Sequence, residues 1–127
     1  MVYLTQFNFG GEYLKLGDWG EGQAARYLEK QGYKLVERNF RCKMGEIDLI
    51  AWHDGVLCFF EVKTRQSLSF GQPSEAVTRI KQKHIRRTAQ VYLLSRNWTH
   101  VETRIDVIEI LKYGDKTYIH HIENAVG

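Results

Sequence analysis

Gly45-Glu46-Ile47-Asp48-Leu49-Ile50-Ala51-Trp52-His53-Asp54-Gly55-Val56-Leu57-Cys58-Phe59-Phe60-Glu61-Val62-Lys63-Thr64-Arg65 is the stretch that decides how the rest of the chain is read. Two apolar runs flank Asp54-Gly55, and Asp-Gly between such runs is a strong signal for a tight hairpin turn. A two-residue turn there sets Asp48 directly opposite Glu61, and Glu46 opposite Lys63. Alternation along a strand then puts Glu46, Asp48, Glu61, Lys63 and Arg65 on one face. Ile47, Leu49, Ala51, Cys58, Phe60 and Val62 fall on the other face and are expected to be core. A three-residue loop or a bulge would invert this parity.

Two carboxylates facing each other with β-carbons about 5 Å apart repel and destabilise a sheet. A divalent cation between them removes the conflict. Magnesium suits such a place, because it takes hard oxygen ligands, one or two of them carboxylates, and fills its other positions with water and phosphate. Lys63 can aim its ammonium at the same spot, to polarise an attacking water or neutralise charge on a phosphorane. The plainer alternative is a salt-bridged surface face, with Glu46–Lys63 and Glu61–Arg65 as ordinary pairs. Against it, Ile50, Trp52, Leu57 and Phe59 share the charged face, which points to cover on both sides. Charges set into a mostly apolar face are costly.

Working outward, residues 33–40 read as a strand preceding the hairpin. Asp18 can cap a helix that runs to about Gln31, with Gly32 as its stop. Glu21, Ala25 and Leu28 stand at i, i+4 and i+7, so Glu21 lies on the inward stripe of that helix. It is either a third carboxylate for the site or a charge that favours its own helix end. After the hairpin, Pro73 and Ser74 open a long helix that continues to about Ser95. Residues 103–111 and 118–122 read as two further strands around the Tyr113-Gly114-Asp115 turn. The order is αβββαβ with an added strand: an α/β domain with a mixed sheet flanked by helices. Residues 1–15 show no period and read as an N-terminal arm, and 16–127 as a single domain.

The chain has 127 residues, enough for one domain with a core of its own. Its longest apolar run, Val56 to Phe60, is far short of the roughly 20 residues that span a bilayer, so no membrane partner is expected. The first 16 residues lack the basic start and apolar stretch of a signal peptide, and Cys42 and Cys58 give no disulfide framework. A cytoplasmic location is expected, and the Asn97-Trp98-Thr99 sequon is then a coincidence.

The net charge of +3 is compatible with a polyanionic partner without demanding one. Arg79, Lys83, Arg86 and Arg87 form a basic stripe on the long helix, while Val77, Ile80, Ile85, Thr88, Ala89 and Tyr92 face roughly the other way. Such a stripe either is solvated or lies along a nucleic-acid backbone. Arg38, Arg41 and Lys43, in the loop before the Asp48 strand, sit closer to the facing carboxylates and are better placed for phosphate. His120 and His121 are adjacent on a strand and so point to opposite faces, which makes them poor joint metal ligands. Gly17, Gly20 and Gly22 follow no strand and are no dinucleotide fingerprint. Cys58 points to the core with no histidine to activate it. Asp106 is expected to be structural, supporting the charged edge of the sheet or pairing with the neighbours of Arg104.

Asp48 followed on the next strand by Glu61-Val62-Lys63 resembles the PD-(D/E)XK nuclease arrangement, and the αβββαβ order resembles that superfamily's core. More narrowly, the chain resembles the YraN family, also called UPF0102. The matching stretches are Gly17-Asp18-Trp19-Gly20-Glu21 with Ala25 and Leu28, Arg38-Asn39-Phe40, Gly45-Glu46-Ile47-Asp48-Leu49-Ile50 and Phe60-Glu61-Val62-Lys63-Thr64-Arg65. Gly71-Gln72-Pro73, Ala76-Val77 with Lys81, Ala89 with Tyr92-Leu93, and Arg104-Ile105-Asp106-Val107-Ile108 are also similar. The likeness covers about residues 16–125. Ile105 stands where the family pattern has an aromatic residue, and residues 1–15 match nothing.

The resemblance implies a restriction-endonuclease-like fold similar to archaeal Holliday-junction resolvases. It implies Mg²⁺ or Mn²⁺ held by Asp48, Glu61 and the Val62 backbone carbonyl. Glu21 would complete the site, Lys63 would serve the water or the transition state, and Lys81 would contact phosphate. The expected function is metal-dependent endonucleolytic hydrolysis of phosphodiesters in DNA, duplex or branched, with RNA left open as a substrate. Arg38, Arg41, Lys43, Arg65, Arg79, Lys83 and Arg87 are the further expected backbone contacts. A homodimer follows if the junction analogy holds. The alternatives are a catalytically silent nucleic-acid-binding module, or an interaction domain whose charged face docks another protein.

Overall fold

Asp54 and Gly55 both adopt positive φ, at 49° and 80°, the backbone that a two-residue type I′ turn requires. The expected register follows: Leu49 pairs with Phe60, Ala51 with Cys58 and His53 with Val56. This hairpin is the middle of the sheet. In a computed structural model, which describes residues 2–4, 16–66 and 79–126, the elements run in the order β1 (Val2–Leu4), α1 (Leu16–Lys30), β2 (Lys34–Cys42), β3 (Gly45–His53), β4 (Val56–Arg65), α2 (Arg79–Ser95), β5 (Glu102–Tyr113) and β6 (Lys116–Ile122). The spatial order of the strands is β1-β6-β5-β4-β3-β2. β4 and β5 pair in parallel and the remaining neighbours are antiparallel. This is the mixed α/β arrangement the sequence led us to expect. The short β1, which pairs with β6 within the first 15 residues, was not foreseen. The proposed opening of the second helix at Pro73 and Ser74, and Val77 with it, lie outside the described residues.

Each face of the sheet carries its own core. Against α1 pack Leu49, Ala51, Cys58, Phe60, Ile108 and Ile110, with Trp19, Ala24, Ala25 and Leu28 from the helix. Against α2 pack Ile47, Ile50, Leu57, Phe59 and Ile105, with Ile85, Ala89 and Tyr92 from the helix. Cover on both faces explains why Leu49 to Trp52 and Val56 to Phe60 are apolar on both faces of the hairpin.

Several expectations need correction. Ile47 packs on the α2 side with Ile50, not on the opposite face with Leu49. The β2–β3 register is the same on either side of this point, Arg38 with Leu49 and Phe40 with Ile47, while Asn39 between them turns to φ 54° opposite Asp48; the register shift of this ladder lies further back, between Leu35 and Glu37. Asp18 lies within the first turn of α1, which begins at Leu16, so it favours the helix dipole and is not the N-cap. Arg38 and Arg41 lie on β2 rather than in a loop, and only Lys43 is in the turn to β3. Ile80 is 72% exposed. The inward stripe of α2 is instead Lys81, Ile85, Thr88, Ala89 and Tyr92, of which all but Lys81 are buried.

Both helices end on left-handed residues. Gly32, at φ 93°, follows α1, and the Tyr33 N–H donates back to the Leu28 carbonyl. Asn97, at φ 58°, follows α2, and the Trp98 N–H donates to the Leu93 carbonyl. Both are αL caps of the Schellman type, so the sequon asparagine has a structural role of its own.

Candidate active site

The β3–β4 ladder stops at Leu49–Phe60. One residue further, where Asp48 and Glu61 face each other, the Asp48 carboxylate replaces the ladder: its Oδ2 accepts the Val62 N–H at 2.7 Å. The N–H and C=O of one strand residue project to the same side, so the Val62 carbonyl is also directed toward β3. Beyond this point the strands part, and both helices close on the gap. A β-carbon at Gly20 would overlap the Thr64 side chain, so glycine is what lets α1 come close enough to bring Glu21 to the end of β4. On the other face, Gly45 (φ 148°) lies where an added β-carbon would meet Thr88 Oγ1 at 3.0 Å. His84 bonds the Met44 carbonyl through Nδ1 at 2.9 Å, which ties α2 to the β2–β3 turn.

The result is a cleft of about 250 Å³ walled by Glu46, Asp48 and Glu61 on the sheet and by Lys81, His84 and Ile85 on α2. Its electrostatics are dominated by carboxylates. Burial pushes Asp48 up to about 7, opposed by the Val62 N–H and reinforced by the negative charges of Glu61, Glu21 and Glu46. Glu21 is raised as well, first by burial and then by Glu46 and Asp18. A hydrogen bond from Asn39 and the charge of Arg38 pull the other way. Two cations answer this charge directly: Lys81 Nζ lies 2.6 Å from Glu61 Oε1, and Arg41 Nε lies 3.4 Å from Glu46 Oε1.

The expected site residues are therefore gathered unevenly. Asp48 and Glu61 share the cleft, Glu21 is within electrostatic reach of Asp48, and Lys81 enters from α2. Lys63 lies two residues beyond Glu61 on the same strand but does not line the cleft. Arg38 acts on Glu21, Arg41 on Glu46, and Lys43 is exposed in the adjoining turn. Arg65 ends β4 half-buried. Arg79, Lys83 and Arg87 are exposed along α2 and are not part of the cleft. Asn39, Glu46 and His84 were not singled out as site residues. Glu46 has its signal in the alternation that sets it on the charged face, and Asn39 a weaker one, since asparagine is among the residues that more readily take positive φ.

Among the described residues, no three His, Cys, Asp or Glu side chains converge as a preformed metal cage. A hard cation with a water-rich shell needs fewer protein ligands than that. Two facing carboxylates and a strand carbonyl directed at the same gap supply donors of the right kind. The accumulated negative charge that lifts Asp48 is what such an ion would relieve. Asp48, Glu61 and the Val62 carbonyl therefore fit Mg²⁺ or Mn²⁺.

The other chemistry-bearing groups have structural duties. Burial pushes the Cys58 thiol up to about 11, which keeps it protonated and unreactive at neutral pH. Asp106 is fully buried and accepts from Arg104 Nε and Nη2, from the Asn124 N–H and from His121 Nε2 at 2.7 Å. Its partner is Arg104 itself rather than that residue's neighbours. His120 turns instead to Glu109, so the two histidines diverge as expected. No helix among the described residues is long and apolar enough to cross a membrane.

Residues 20–110 match the model of the family described as "Uncharacterised protein family UPF0102". A UPF0102 protein of Caldanaerobacter subterraneus subsp. tengcongensis is 49% identical over 113 residues, covering 87% of this chain and 93% of the relative. UPF0102 proteins of Syntrophotalea carbinolica and Syntrophomonas wolfei are 46% and 47% identical, covering 88% and 87% of this chain and 91% and 96% of theirs. The matched span holds Glu21, Asp48, Glu61, Lys63 and Lys81, and on these likenesses the chain belongs to the UPF0102 family.

Proposed function

We propose that the chain is a metal-dependent endonuclease of the PD-(D/E)XK type that hydrolyses phosphodiester bonds in DNA. The observation that carries this reading is the Asp48–Glu61 pair at the parted end of the hairpin, where burial and neighbouring carboxylates lift Asp48 to about 7. A fold gains nothing in stability from such crowding, whereas a cation site for phosphoryl chemistry needs it. Held by Asp48, Glu61 and the Val62 carbonyl, Mg²⁺ or Mn²⁺ would supply Lewis-acid polarisation of the phosphate and a more acidic water. Lys63 neutralises charge developing on the phosphorane oxygens or orients the water, and Glu21 holds the water-side edge of the site. Arg38, Arg41 and Lys43 seat the flanking backbone phosphates, with the exposed α2 cations extending the track. The resemblance that the Asp48 and Glu61-Val62-Lys63 motifs bear to archaeal junction resolvases, read from the sequence alone, favours branched DNA as substrate and a homodimer that cuts two symmetric strands.

The second reading is a nucleic-acid-binding module without catalysis. It is favoured by the Lys81–Glu61 ion pair, which satisfies Glu61 with no ion present. Linear duplex, single-stranded, flap and four-way-junction DNAs incubated with Mn²⁺ separate the two. Cleavage by the wild type that Asp48→Ala abolishes supports the nuclease, and metal-insensitive binding without cleavage supports the module.

A further inference from the structure

Lys81 occupies a position on α2 that its helix geometry marks for the core. One turn further on, Ile85 is buried, and Thr88, Ala89 and Tyr92 continue the same stripe against the sheet. At the site the β3–β4 ladder stops at Leu49–Phe60, and there the stripe presents an ammonium instead of a methyl group. That ammonium stands 2.6 Å from Glu61 Oε1. Glu61 is 11% exposed and Lys81 half exposed, so the carboxylate is fixed and the lysine is the partner that can withdraw. A flexible four-carbon stem allows this without moving the helix.

We propose that Lys81 is the internal counter-ion of the site and competes with a divalent cation for the Glu61 carboxylate. The proposal rests on the metal-binding reading above and adds to it a residue that opposes binding of the ion. An ammonium and a divalent ion on the same carboxylate would lie within a few ångströms of each other, where their repulsion in a partly dry cleft is strong. One must leave when the other arrives. The displaced ammonium remains at the cleft wall beside Asp48 and His84, positioned for an anionic oxygen of a phosphodiester. Arrival of the ion thereby frees a phosphate contact that is otherwise held by the protein's own carboxylate. Without the ion, Lys81 keeps Glu61 from adding its full charge to a cleft in which Asp48 already feels three carboxylates.

The test is Mn²⁺ titration calorimetry on the full chain without nucleic acid, comparing wild type, Lys81→Met and Lys34→Met. Lys34 is exposed at the start of β2, opposite Trp52 near the hairpin turn, and controls for the loss of one positive charge away from the cleft. Competition predicts Mn²⁺ binding about two- to fivefold tighter in Lys81→Met, the range set by a partly exposed ion pair, and unchanged in Lys34→Met. It also predicts a lower melting temperature for Lys81→Met than for wild type in chelator, with a larger rise on adding Mn²⁺. Equal affinity in wild type and Lys81→Met overturns the competition and leaves the metal site standing. Equal tightening in both variants overturns it too, since net charge alone then accounts for the change. Weaker binding in Lys81→Met makes the lysine a support of the site and overturns the proposal. No Mn²⁺ binding by any of the three proteins overturns this proposal and the metal reading together.

Discussion

The Asp48 carboxylate accepts the Val62 N–H at 2.7 Å, and that bond stands where the next rung of the β3–β4 ladder would be. A side chain has taken over a backbone partner, which frees the strands to part while the Val62 amide stays paired. It also holds a carboxylate in place against three others.

Removing the charge while keeping the acceptor should therefore stabilise the protein. Asp48→Asn is expected to raise unfolding free energy by about 1–3 kcal/mol at pH 8 in chelator, because the amide oxygen still takes the Val62 N–H without the repulsion. Urea denaturation measures this. A loss of stability at pH 8 would show that the carboxylate is compensated and is not a strained ligand.

The pH dependence has a definite sign. The Asp48 carboxyl titrates at about 7 in the folded chain, against an ordinary value of 3.8. Between these values the folded state binds a proton that the unfolded state lacks, so the contribution of this group falls as pH rises from about 4 to 7. Melting temperature in chelator is expected to be higher at pH 5.5 than at pH 8, and Asp48→Asn to flatten that slope. Saturating Mn²⁺ favours the ionised form, so it should stabilise the wild type more at pH 8 than at pH 5.5.

Asp106 has the opposite sign. Burial would raise it, but hydrogen bonds from His121, Arg104 and the Asn124 N–H hold it below the usual carboxylate range. Its contribution is present above the unfolded value near 4 and is lost only in stronger acid. Asp106→Ala leaves the Arg104 guanidinium and His121 without their shared acceptor, and is expected to cost about 3–5 kcal/mol. Equilibrium unfolding checks this, and a change below about 1 kcal/mol would mean that water substitutes for the carboxylate.

Gly20 tests how the site is assembled. In an exposed helix interior, Gly→Ala adds about 1 kcal/mol of stability. Here the new β-carbon would overlap the Thr64 side chain, and overpacking of that kind costs about 1–3 kcal/mol, so Gly20→Ala should be net destabilising. Adding Thr64→Ala is expected to recover part of the loss in a double-mutant cycle, since it removes Oγ1 and Cγ2 but keeps a β-carbon 2.8 Å from the new one. Additive effects would place α1 further from β4.

The hairpin was legible because its signal is local: Asp54-Gly55 fixes the turn, the turn fixes the register, and the register sets Asp48 against Glu61. Glu21 was legible from its spacing with Ala25 and Leu28. What the sequence concealed depends on how elements meet. Asn39 takes a positive φ opposite Asp48 and Ile47 packs on the α2 side, neither of which periodicity announces. Lys81 and Ile80 exchange the orientations their chemistry suggests, because the β3–β4 ladder stops at Leu49–Phe60 and a cleft replaces the core against α2 there. His84 reaches the Met44 carbonyl across 40 residues of sequence, and Arg104 pairs with Asp106 along one strand face while also reaching the Tyr33 hydroxyl and Glu123. Such pairings follow from packing and leave no trace in residue type.

The central claim is that the Asp48–Glu61 gap is a metal-dependent phosphodiesterase site. Its most direct measurement is cleavage of a labelled four-way-junction and duplex DNA panel by wild type, Asp48→Asn and Glu61→Gln, each with Mn²⁺ and with chelator. The account predicts products only from the wild type with Mn²⁺, and a loss of at least about 100-fold in both variants. Cleavage that survives in Asp48→Asn, or a folded wild type that binds Mn²⁺ yet cuts no phosphodiester on the panel, would contradict it.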